Sequence, residues 1–322
     1  MLIIFNELKN HWSKKIIFQY DKYFYLLKKL INYMPANKKT PNLFIVGAQK
    51  SGTTSLHNYL NEHPEIFMSK VKEPTFFSKF PGSPQIGKNI SEEQYYELFK
   101  EVTDEKIVGE SSVSYLFDIT SAKSIFEANS QAKIIILLRD PVDRTFSHFL
   151  KPDNKMDFHQ KILQDIGKID LENQNYENIV SWSLYSNQVK RFLDIFGKQT
   201  KIIIFEEFFL DTRQQMKDII KFLGLGNNVH EFSEEIYKKS YKPRNIIFQK
   251  IIKNVIVKKI GKKTLPSNFR DLVYAFLRGN DSKKNEITKE DEQILIDFFR
   301  EDVSKLEKLL GRKLPWKSSV KK

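Results

Sequence analysis

The segment from residue 47 to residue 56, G-A-Q-K-S-G-T-T-S-L, combines two glycines, a lysine and four hydroxyl side chains directly after a short apolar run. Glycines let backbone N–H groups approach a phosphate closely, and a helix beginning at this point adds unpaired N–H donors and the positive end of its dipole. The pattern therefore predicts a strand, an anion-binding loop and a helix. The residues predicted to contact the anion are Lys50, Ser51, Gly52, Thr53, Thr54 and Ser55.

The position of the lysine distinguishes this loop from the phosphate loop of nucleotide triphosphatases. Those loops carry lysine directly after the second glycine, followed by Ser or Thr to hold magnesium. Here Thr53 follows Gly52, and Lys50 lies inside the loop, where it would face the terminal group of a bound phosphate. A kinase that uses ATP is therefore the weaker alternative, also because Asp140 follows Arg139 instead of ending the strand as a magnesium ligand would.

A second anion-binding element is predicted after the most apolar stretch of the chain. Residues 133–138 are apolar on both faces, as expected of a central parallel strand, and R-D-P follows them. Asp140 can cap a helix whose first residue is Pro141 and which continues over residues 142–150. Arg139 at the strand end and Ser147 in this helix can converge on one anion, and an Arg139 that only pairs with a nearby carboxylate is an equal alternative.

Strand and helix patterns alternate along the chain and would position these residues. Further strands are predicted at residues 43–46, 106–110 and 201–205, and long helices at 183–196, 212–223 and from Thr288 to about residue 310. Shorter helices are predicted after the loop and at 120–129 and 157–166. This alternation predicts an α/β fold with a parallel sheet covered on both faces.

Composition limits the possible chemistry. The 322 residues contain no cysteine, which excludes disulfides, thiolate metal sites and a cysteine nucleophile. Neither His57 nor His63 has a partner at metal-ligand spacing. The net charge is +13, and residues 237–270 hold eleven Lys or Arg and no Asp or Glu. A non-catalytic nucleic-acid-binding protein is thus a second alternative, but the sequence lacks a recognisable helix-turn-helix, zinc or aromatic-platform pattern. No metal and no nucleic-acid partner are expected.

Residues 1–41 form a basic, aromatic and amphipathic segment whose first apolar run is too short for a signal peptide or a membrane span. We expect a cytoplasmic protein in which this segment either packs on the next domain or contacts an anionic membrane surface. The predicted organisation is a helical extension at 1–41, one domain at 42–317 and a basic tail at 318–322.

Four segments together resemble the sulfotransferase superfamily, particularly bacterial members related to the heparan sulfate enzymes. They are G-A-Q-K-S-G-T-T-S-L, K-E-P-T-F-F, I-I-I-L-L-R-D-P-V-D-R-T-F-S-H-F and the terminal L-G-R-K-L-P-W. The resemblance implies a P-loop-like three-layer αβα fold. It implies the co-substrate 3′-phosphoadenosine 5′-phosphosulfate (PAPS), with its 5′-phosphosulfate at the Lys50 loop and its 3′-phosphate at Arg139 and Ser147. Lys50 is expected to stabilise charge on the bridging oxygen as the S–O bond breaks.

An acceptor hydroxyl needs a general base, and the candidates are Glu73, His57, His148 and Glu110. Glu73 is favoured because it lies in K-E-P-T-F-F, which resembles the segment of the catalytic glutamate in heparan-type enzymes. Pro74 is predicted to hold Glu73 in an extended backbone conformation. The structural alternative is a glutamate that pairs with Lys70 or Lys72 and only shapes the turn.

Two departures from the heparan-type pattern concern the acceptor. Thr75 stands where those enzymes commonly have histidine, and E-S-S-V at residues 110–113 replaces their E-K-T-P. A heparan-like glycan is therefore in doubt, and the predicted acceptor is a hydroxyl of a carbohydrate, a lipid or another small molecule.

Overall fold

Five parallel strands form the sheet of the computed structural model, which describes residues 40–78, 90–150, 156–170, 175–226 and 286–319. The N-terminal segment, the basic region at 237–270 and the end of the basic tail lie outside these ranges. The predicted domain boundaries and the membrane role of residues 1–41 therefore stay predictions.

The strands follow the order β2-β3-β1-β4-β5 across the sheet. They are β1 (Leu43–Gly47), β2 (Ile66–Met68), β3 (Ile107–Ser111), β4 (Lys133–Leu138) and β5 (Thr200–Ile204). Leu43 of β1 pairs with Gly109 of β3 on one side and with Lys133 of β4 on the other. The central strand β1 therefore ends between the ends of β3 and β4, where open parallel sheets place their ligands.

Ten α-helices occur in the described part of the chain. In chain order they are α1 (Thr53–Asn61), α2 (Glu92–Glu97), α3 (Ser114–Phe117), α4 (Ser121–Ala128), α5 (Pro141–Phe149), α6 (Phe158–Ile166), α7 (Tyr185–Phe196), α8 (Phe205–Leu210), α9 (Thr212–Leu223) and α10 (Lys289–Leu310). Short 3-10 turns lie at Ser181–Ser183 and Gly197–Gln199. No helix in the described ranges is long and apolar enough to cross a membrane.

The two faces of β1 bury different halves of the core because successive side chains of a strand point to opposite sides. Phe44 and Val46 pack with residues of α2, α3, α4, α7 and α10, whereas Leu43 and Ile45 pack with residues of α1, α8 and α9. The predicted three-layer αβα arrangement is confirmed. Residues 134–138 of β4 are fully buried, as predicted for a central strand.

The ends of several helices follow the residue types that stop them. The Asp140 carboxylate caps α5 by accepting hydrogen bonds from the N–H groups of Val142 and Asp143, and Gly224 and Gly311 end α9 and α10 at φ values of +77° and +67°. An L-residue rarely adopts this left-handed conformation, which explains why glycine stands there.

Two elements were missed by the sequence analysis. Strand β2 was not predicted, because three residues after a proline give too short a pattern. Helix α8 was not predicted either, since F-E-E-F-F-L continues directly from β5 and its aromatic residues also suit a strand. After the end of α10, Leu314 and Trp316 are buried, whereas Pro315 between them is exposed.

Candidate active site

The loop between β1 and α1 has the backbone shape of an anion-binding turn. Lys50 has φ +69° and Gly52 has φ +86°, and Gly52 occupies the N-cap position of α1 without a side-chain cap. The N–H groups of Ser55 and Leu56 donate to the Gly52 carbonyl and that of Ser51 donates to the Ala48 carbonyl. Among the described residues, this leaves the N–H groups of Gly52, Thr53 and Thr54 for a ligand. The predicted order of strand, loop and helix is confirmed.

Space as well as backbone conformation requires glycine at position 52. A Cβ atom there would lie 2.9 Å from a ring carbon of Phe209 and 3.2 Å from one of Phe205. Both phenylalanines belong to α8, so this unpredicted helix forms the wall that supports the loop.

The hydroxyl side chains of the loop face inwards. Ser51, Thr53 and Ser55 are buried, while Lys50 is exposed. The Ser51 hydroxyl makes no hydrogen bond of normal geometry with the described residues, and the same holds for the buried Tyr185 hydroxyl that approaches it. Buried polar groups are nearly always paired, and these two hydroxyls keep hydrogen-bonding capacity that a polar ligand could use.

Two buried arginines hold consecutive carbonyl groups of the loop. The Arg139 Nη1 donates to the Lys50 carbonyl at 3.1 Å, and the Arg144 Nε donates to the Gln49 carbonyl at 3.1 Å. The Arg139 guanidinium also lies over the Phe205 ring, 5.1 Å from its centroid. Arg139, after β4, and Arg144, in α5, therefore hold the two peptide groups that flank the Cα atom of Lys50.

The charge of Arg144 is a further source of positive potential. Besides Gln49, its hydrogen-bond partners among the described residues are the Ile179 carbonyl at 2.7 Å, the Ser183 hydroxyl at 2.9 Å and His148 Nδ1, none of which is a carboxylate. Burial lowers the pKa of Arg144 to about 10, which leaves it charged at neutral pH. A buried charge of this kind favours an anion nearby. The sequence analysis did not assign this role to Arg144.

Ser147 lies one turn after Arg144 on α5 and is half-buried. Its convergence with Arg139 on one phosphate stays a prediction. His148 is buried, bonds to Arg144 and packs edge-on against Trp182, with ring centroids 5.8 Å apart. His148 therefore lies on the interior side of α5.

Glu73 does not have the predicted extended backbone: its φ is +63°. The rule that proline disfavours helical conformations before it is local, and here contacts with β3 override it. The Glu73 N–H donates to the Ser111 carbonyl at 2.9 Å, and Glu73 Oε2 accepts from the Val113 N–H at 2.8 Å. Thr75 also has a positive φ, +53°, and each such residue costs roughly 1–3 kcal/mol. The surrounding protein therefore imposes this conformation.

The Glu73 carboxylate also makes the ion pair that the structural alternative predicted. Glu73 Oε1 accepts from Lys72 Nζ at 2.6 Å, while Lys70 pairs with Glu101. Even so, the Glu73 side chain is 22% exposed and can be reached from outside. Its role as a base stays a prediction.

The remaining candidate bases lie inside the protein. Glu110 is fully buried, and burial raises its pKa to about 7. His57 Nδ1 lies 2.8 Å from the Ser111 hydroxyl, and burial, followed by the charge of Lys72, lowers the pKa of His57 to about 4. His57 is therefore neutral at neutral pH and connects α1 to the end of β3.

The C-terminal L-P-W segment packs behind the end of β4, which the sequence did not indicate. Trp316 Nε1 donates to Glu206 Oε2 at 3.0 Å, and Glu206 Oε1 accepts from the Asp140 N–H at 2.9 Å. The Lys317 N–H donates to Asp140 Oδ2 at 2.8 Å. In the described residues, no group of three or more His, Cys, Asp or Glu is arranged to hold a metal ion.

Comparisons with known proteins agree with this arrangement. A family model described as the sulfotransferase domain matches residues 40–307. The crystal structure of a sulfotransferase from Alicyclobacillus acidocaldarius is similar at 31% sequence identity with a TM-score of 0.63, covering 85% of this chain and 97% of that one.

Two curated human relatives are more distant. Carbohydrate sulfotransferase 15 is 27% identical over 247 residues, covering 58% of this chain and 44% of that protein. Heparan sulfate glucosamine 3-O-sulfotransferase 5 is 23% identical over 202 residues, covering 61% and 57% respectively. The membrane-associated sulfotransferase kil1 of Dictyostelium discoideum is 33% identical over 111 residues, which are 34% of this chain and 22% of that protein. The chain therefore spans only part of the length of these relatives.

Proposed function

Since the chain belongs to the sulfotransferase domain family, we propose that it transfers a sulfuryl group from PAPS to an acceptor hydroxyl. The observation that carries this proposal is the arrangement around Lys50, whose loop is held by Arg139 at the end of one neighbouring strand. Glu73 is bonded to the end of the strand on the other side of β1. An anion site, a cation and a carboxylate thus border the same edge of the sheet.

The residues of this edge fit the two phosphate ends of such a donor. The N–H groups at the start of α1, with the hydroxyls of Ser51, Thr53, Thr54 and Ser55, suit the 5′-phosphosulfate. The buried hydroxyls of Ser51 and Tyr185, which approach each other, and the charge of Arg144 support an anionic ligand at this place. Arg139 and Ser147, at the end of β4 and on α5, suit the 3′-phosphate.

The donor, when bound, supplies a sulfuryl group whose S–O bond to the 5′-phosphate breaks as the acceptor oxygen bonds to sulfur. Glu73 takes the proton of the acceptor hydroxyl in this in-line displacement. Lys50 stabilises the negative charge that grows on the 5′-phosphate oxygen as that oxygen receives the electron pair of the broken bond. Such a contact strengthens in the transition state and therefore raises turnover.

The acceptor is a hydroxyl of a carbohydrate, a lipid or another small molecule. Two of the human relatives carry carbohydrate or heparan sulfate in their names. At positions 111–113 this chain has S-S-V where heparan-type enzymes have K-T-P, which favours a different acceptor. The same proposal includes a cytoplasmic location and membrane contact through residues 1–41. It includes neither a metal nor a nucleic-acid partner.

Calorimetric titration tests the donor class. We expect adenosine 3′,5′-bisphosphate to bind roughly 10- to 100-fold more tightly than AMP, because hydrogen bonds to a charged group contribute about 1.5–3 kcal/mol. In Arg139→Lys the preference should shrink, since lysine cannot reproduce the planar, forked contact. Equal affinity of the wild type for AMP and the bisphosphate would overturn the proposal.

A further inference from the structure

A completely buried carboxylate, Glu110, lies directly behind the segment that carries Glu73. Its Oε1 accepts hydrogen bonds from the Tyr95 hydroxyl at 2.8 Å and the Tyr115 hydroxyl at 2.9 Å, and its Oε2 accepts from the Ser112 hydroxyl at 2.7 Å. The three donors come from α2, α3 and the turn after β3. Neither the proposed binding of the donor nor the proton transfer uses this carboxylate.

Each of the three donors contacts a different residue of the segment after Glu73. The Ser112 hydroxyl accepts from the Thr75 N–H at 3.0 Å, and the Tyr115 hydroxyl accepts from the Phe77 N–H at 3.2 Å. The Tyr95 ring stacks on the Phe76 ring, with centroids 4.2 Å apart and planes 10° from parallel. Residues 75–77 are therefore connected to Glu110 at three consecutive positions.

We infer that Glu110 is a positioning residue that sets the conformation of residues 73–77 and thereby the direction of the Glu73 carboxylate. This inference rests on the proposed function in so far as Glu73 is the base. The positive φ values of Glu73 and Thr75 support it, because such conformations persist only where the surroundings determine them.

The hydrogen-bond directions explain why a carboxylate stands at this position. An ionised carboxylate only accepts hydrogen bonds, so all three hydroxyls point their protons at Glu110 and keep their lone pairs for the Thr75 and Phe77 N–H groups. A protonated or amidated side chain is also a donor and would force at least one hydroxyl to turn away. The titratable groups that face Glu110 are Tyr95, Tyr115 and Glu73, and the charge of Glu73 adds to the effect of burial in raising the pKa of Glu110.

The first test compares Glu110→Gln with the wild type. We expect turnover to fall roughly 10- to 100-fold, the effect of misplacing a reacting group by about 1 Å, while the affinity for adenosine 3′,5′-bisphosphate changes less than twofold. In the wild type, turnover should rise as Glu110 ionises near neutral pH, and this limb of the pH profile should be missing in the variant. Wild-type turnover with an unchanged pH profile in Glu110→Gln would overturn the inference.

A double variant tests whether Glu110 acts through Glu73. If it does, Glu73→Gln/Glu110→Gln should be no slower than Glu73→Gln alone, because the positioned group is already lost. If the losses of turnover of the two single variants multiply in the double variant, Glu110 acts independently of Glu73 and the inference is overturned. The matched control is Glu307→Gln, which removes a buried carboxylate that accepts from the Leu314 N–H and should keep the wild-type pH profile.

Amide hydrogen exchange separates this inference from the proposed function, because it needs neither donor nor acceptor. The amides of Thr75 and Phe77 should exchange faster in Glu110→Gln than in the wild type or in Glu307→Gln, and unchanged exchange would overturn the inference. Should Glu110→Gln fail to fold, Tyr115→Phe removes the hydroxyl that links Glu110 to the Phe77 N–H and should raise exchange at that amide. Faster exchange in a protein that shows no bisphosphate preference would leave the positioning role in place and remove the sulfotransferase assignment.

Discussion

The contacts of the Glu73 carboxylate are compatible both with a glutamate that shapes the turn and with a general base. Its ion pair with Lys72 and its bond from the Val113 N–H fix the carboxylate, as a turn-forming glutamate requires. A carboxylate has about four lone-pair positions, so these two contacts leave room for an acceptor hydroxyl. Fixing the group is itself useful, because proton transfer depends on a defined geometry.

Replacement of Glu73 by glutamine tests the base. Glu73→Gln keeps the size and the acceptor for the Val113 N–H but removes the basicity, so we expect turnover to fall roughly 100-fold or more, with bisphosphate affinity unchanged. Single-turnover rates at saturating donor measure the first quantity and calorimetry the second. Glu101→Gln, which removes the exposed carboxylate paired with Lys70, is the control and should keep wild-type turnover. Normal turnover in Glu73→Gln, together with an inactive His148→Ala that still binds the bisphosphate, would assign proton removal to the histidine.

The loop after β1 depends on its neighbours as much as on its own sequence. Its carbonyls are held by Arg139 and Arg144, and its outer wall is made by two phenylalanines of α8. The loop is therefore preformed before any ligand binds, which lowers the cost of ordering it on binding.

A methyl group at Gly52 should disturb this preformed loop. In Gly52→Ala the left-handed φ of +86° costs about 1–2 kcal/mol and the new Cβ meets Phe209 at 2.9 Å. We expect bisphosphate affinity to fall at least 10-fold, measured by calorimetry. Gly197→Ala is a matched control, since Gly197 also has a positive φ, +49°, but nothing lies within 4 Å of its Cβ position. It should lose some stability and keep its affinity, and an equal loss of affinity in both variants would contradict a specific role for the loop.

Elements with strong local signals could be predicted from the sequence, whereas those decided by long-range contacts could not. The buried strand β4, the Asp140 cap and the loop around Lys50 were correct because apolar runs, capping residues and glycines act locally. The prediction of an extended backbone at Glu73 was wrong because hydrogen bonds to residues about 40 positions later determine this conformation. The roles of Arg144 and of α8 require knowing which chain segments meet the loop.

Across the whole molecule, burial opposes the ionisation of several acidic side chains. Burial raises the pKa of Glu110 and of Glu206 to about 7 and that of Asp140 to about 6. In the unfolded chain these groups ionise near their ordinary values, well below neutral pH. The folded protein therefore binds more protons than the unfolded chain around pH 6–7, and its free energy of unfolding must fall as the pH rises through that range.

Two histidines, His57 and His159, also contribute to the pH dependence of the free energy of unfolding. His57 has its pKa lowered to about 4, so the unfolded chain binds the extra proton below about pH 6.5 and the contribution of His57 to stability is lost as the pH falls. Below about pH 6.5 the contribution of His57 to stability changes with pH in the opposite direction to that of the carboxylates, and it fades as the pH rises further. His159, paired with Asp291, has a raised pKa and therefore acts in the same direction as the carboxylates. Between pH 6.5 and 8 the acidic groups and His159 therefore act in the same direction, and a variant is needed to separate one acidic group from the rest.

Comparing Glu206→Gln with the wild type separates one buried carboxylate from all other titrating groups. We expect the wild-type free energy of unfolding in urea to fall between pH 6.5 and 8, with each such group contributing at most about 1.4 kcal/mol per pH unit. Glutamine cannot ionise, so the fall should be smaller in Glu206→Gln, although the variant is less stable overall because an amide cannot accept from both the Asp140 N–H and Trp316 Nε1. Glu97→Gln, at an exposed position on α2, should leave the wild-type pH dependence unchanged. Identical pH dependence in Glu206→Gln and the wild type would mean that Glu206 stays ionised in the folded protein. The C-terminal segment would then pack against a charge, and its contact with the end of β4 would depend on the nearby Arg139 for compensation.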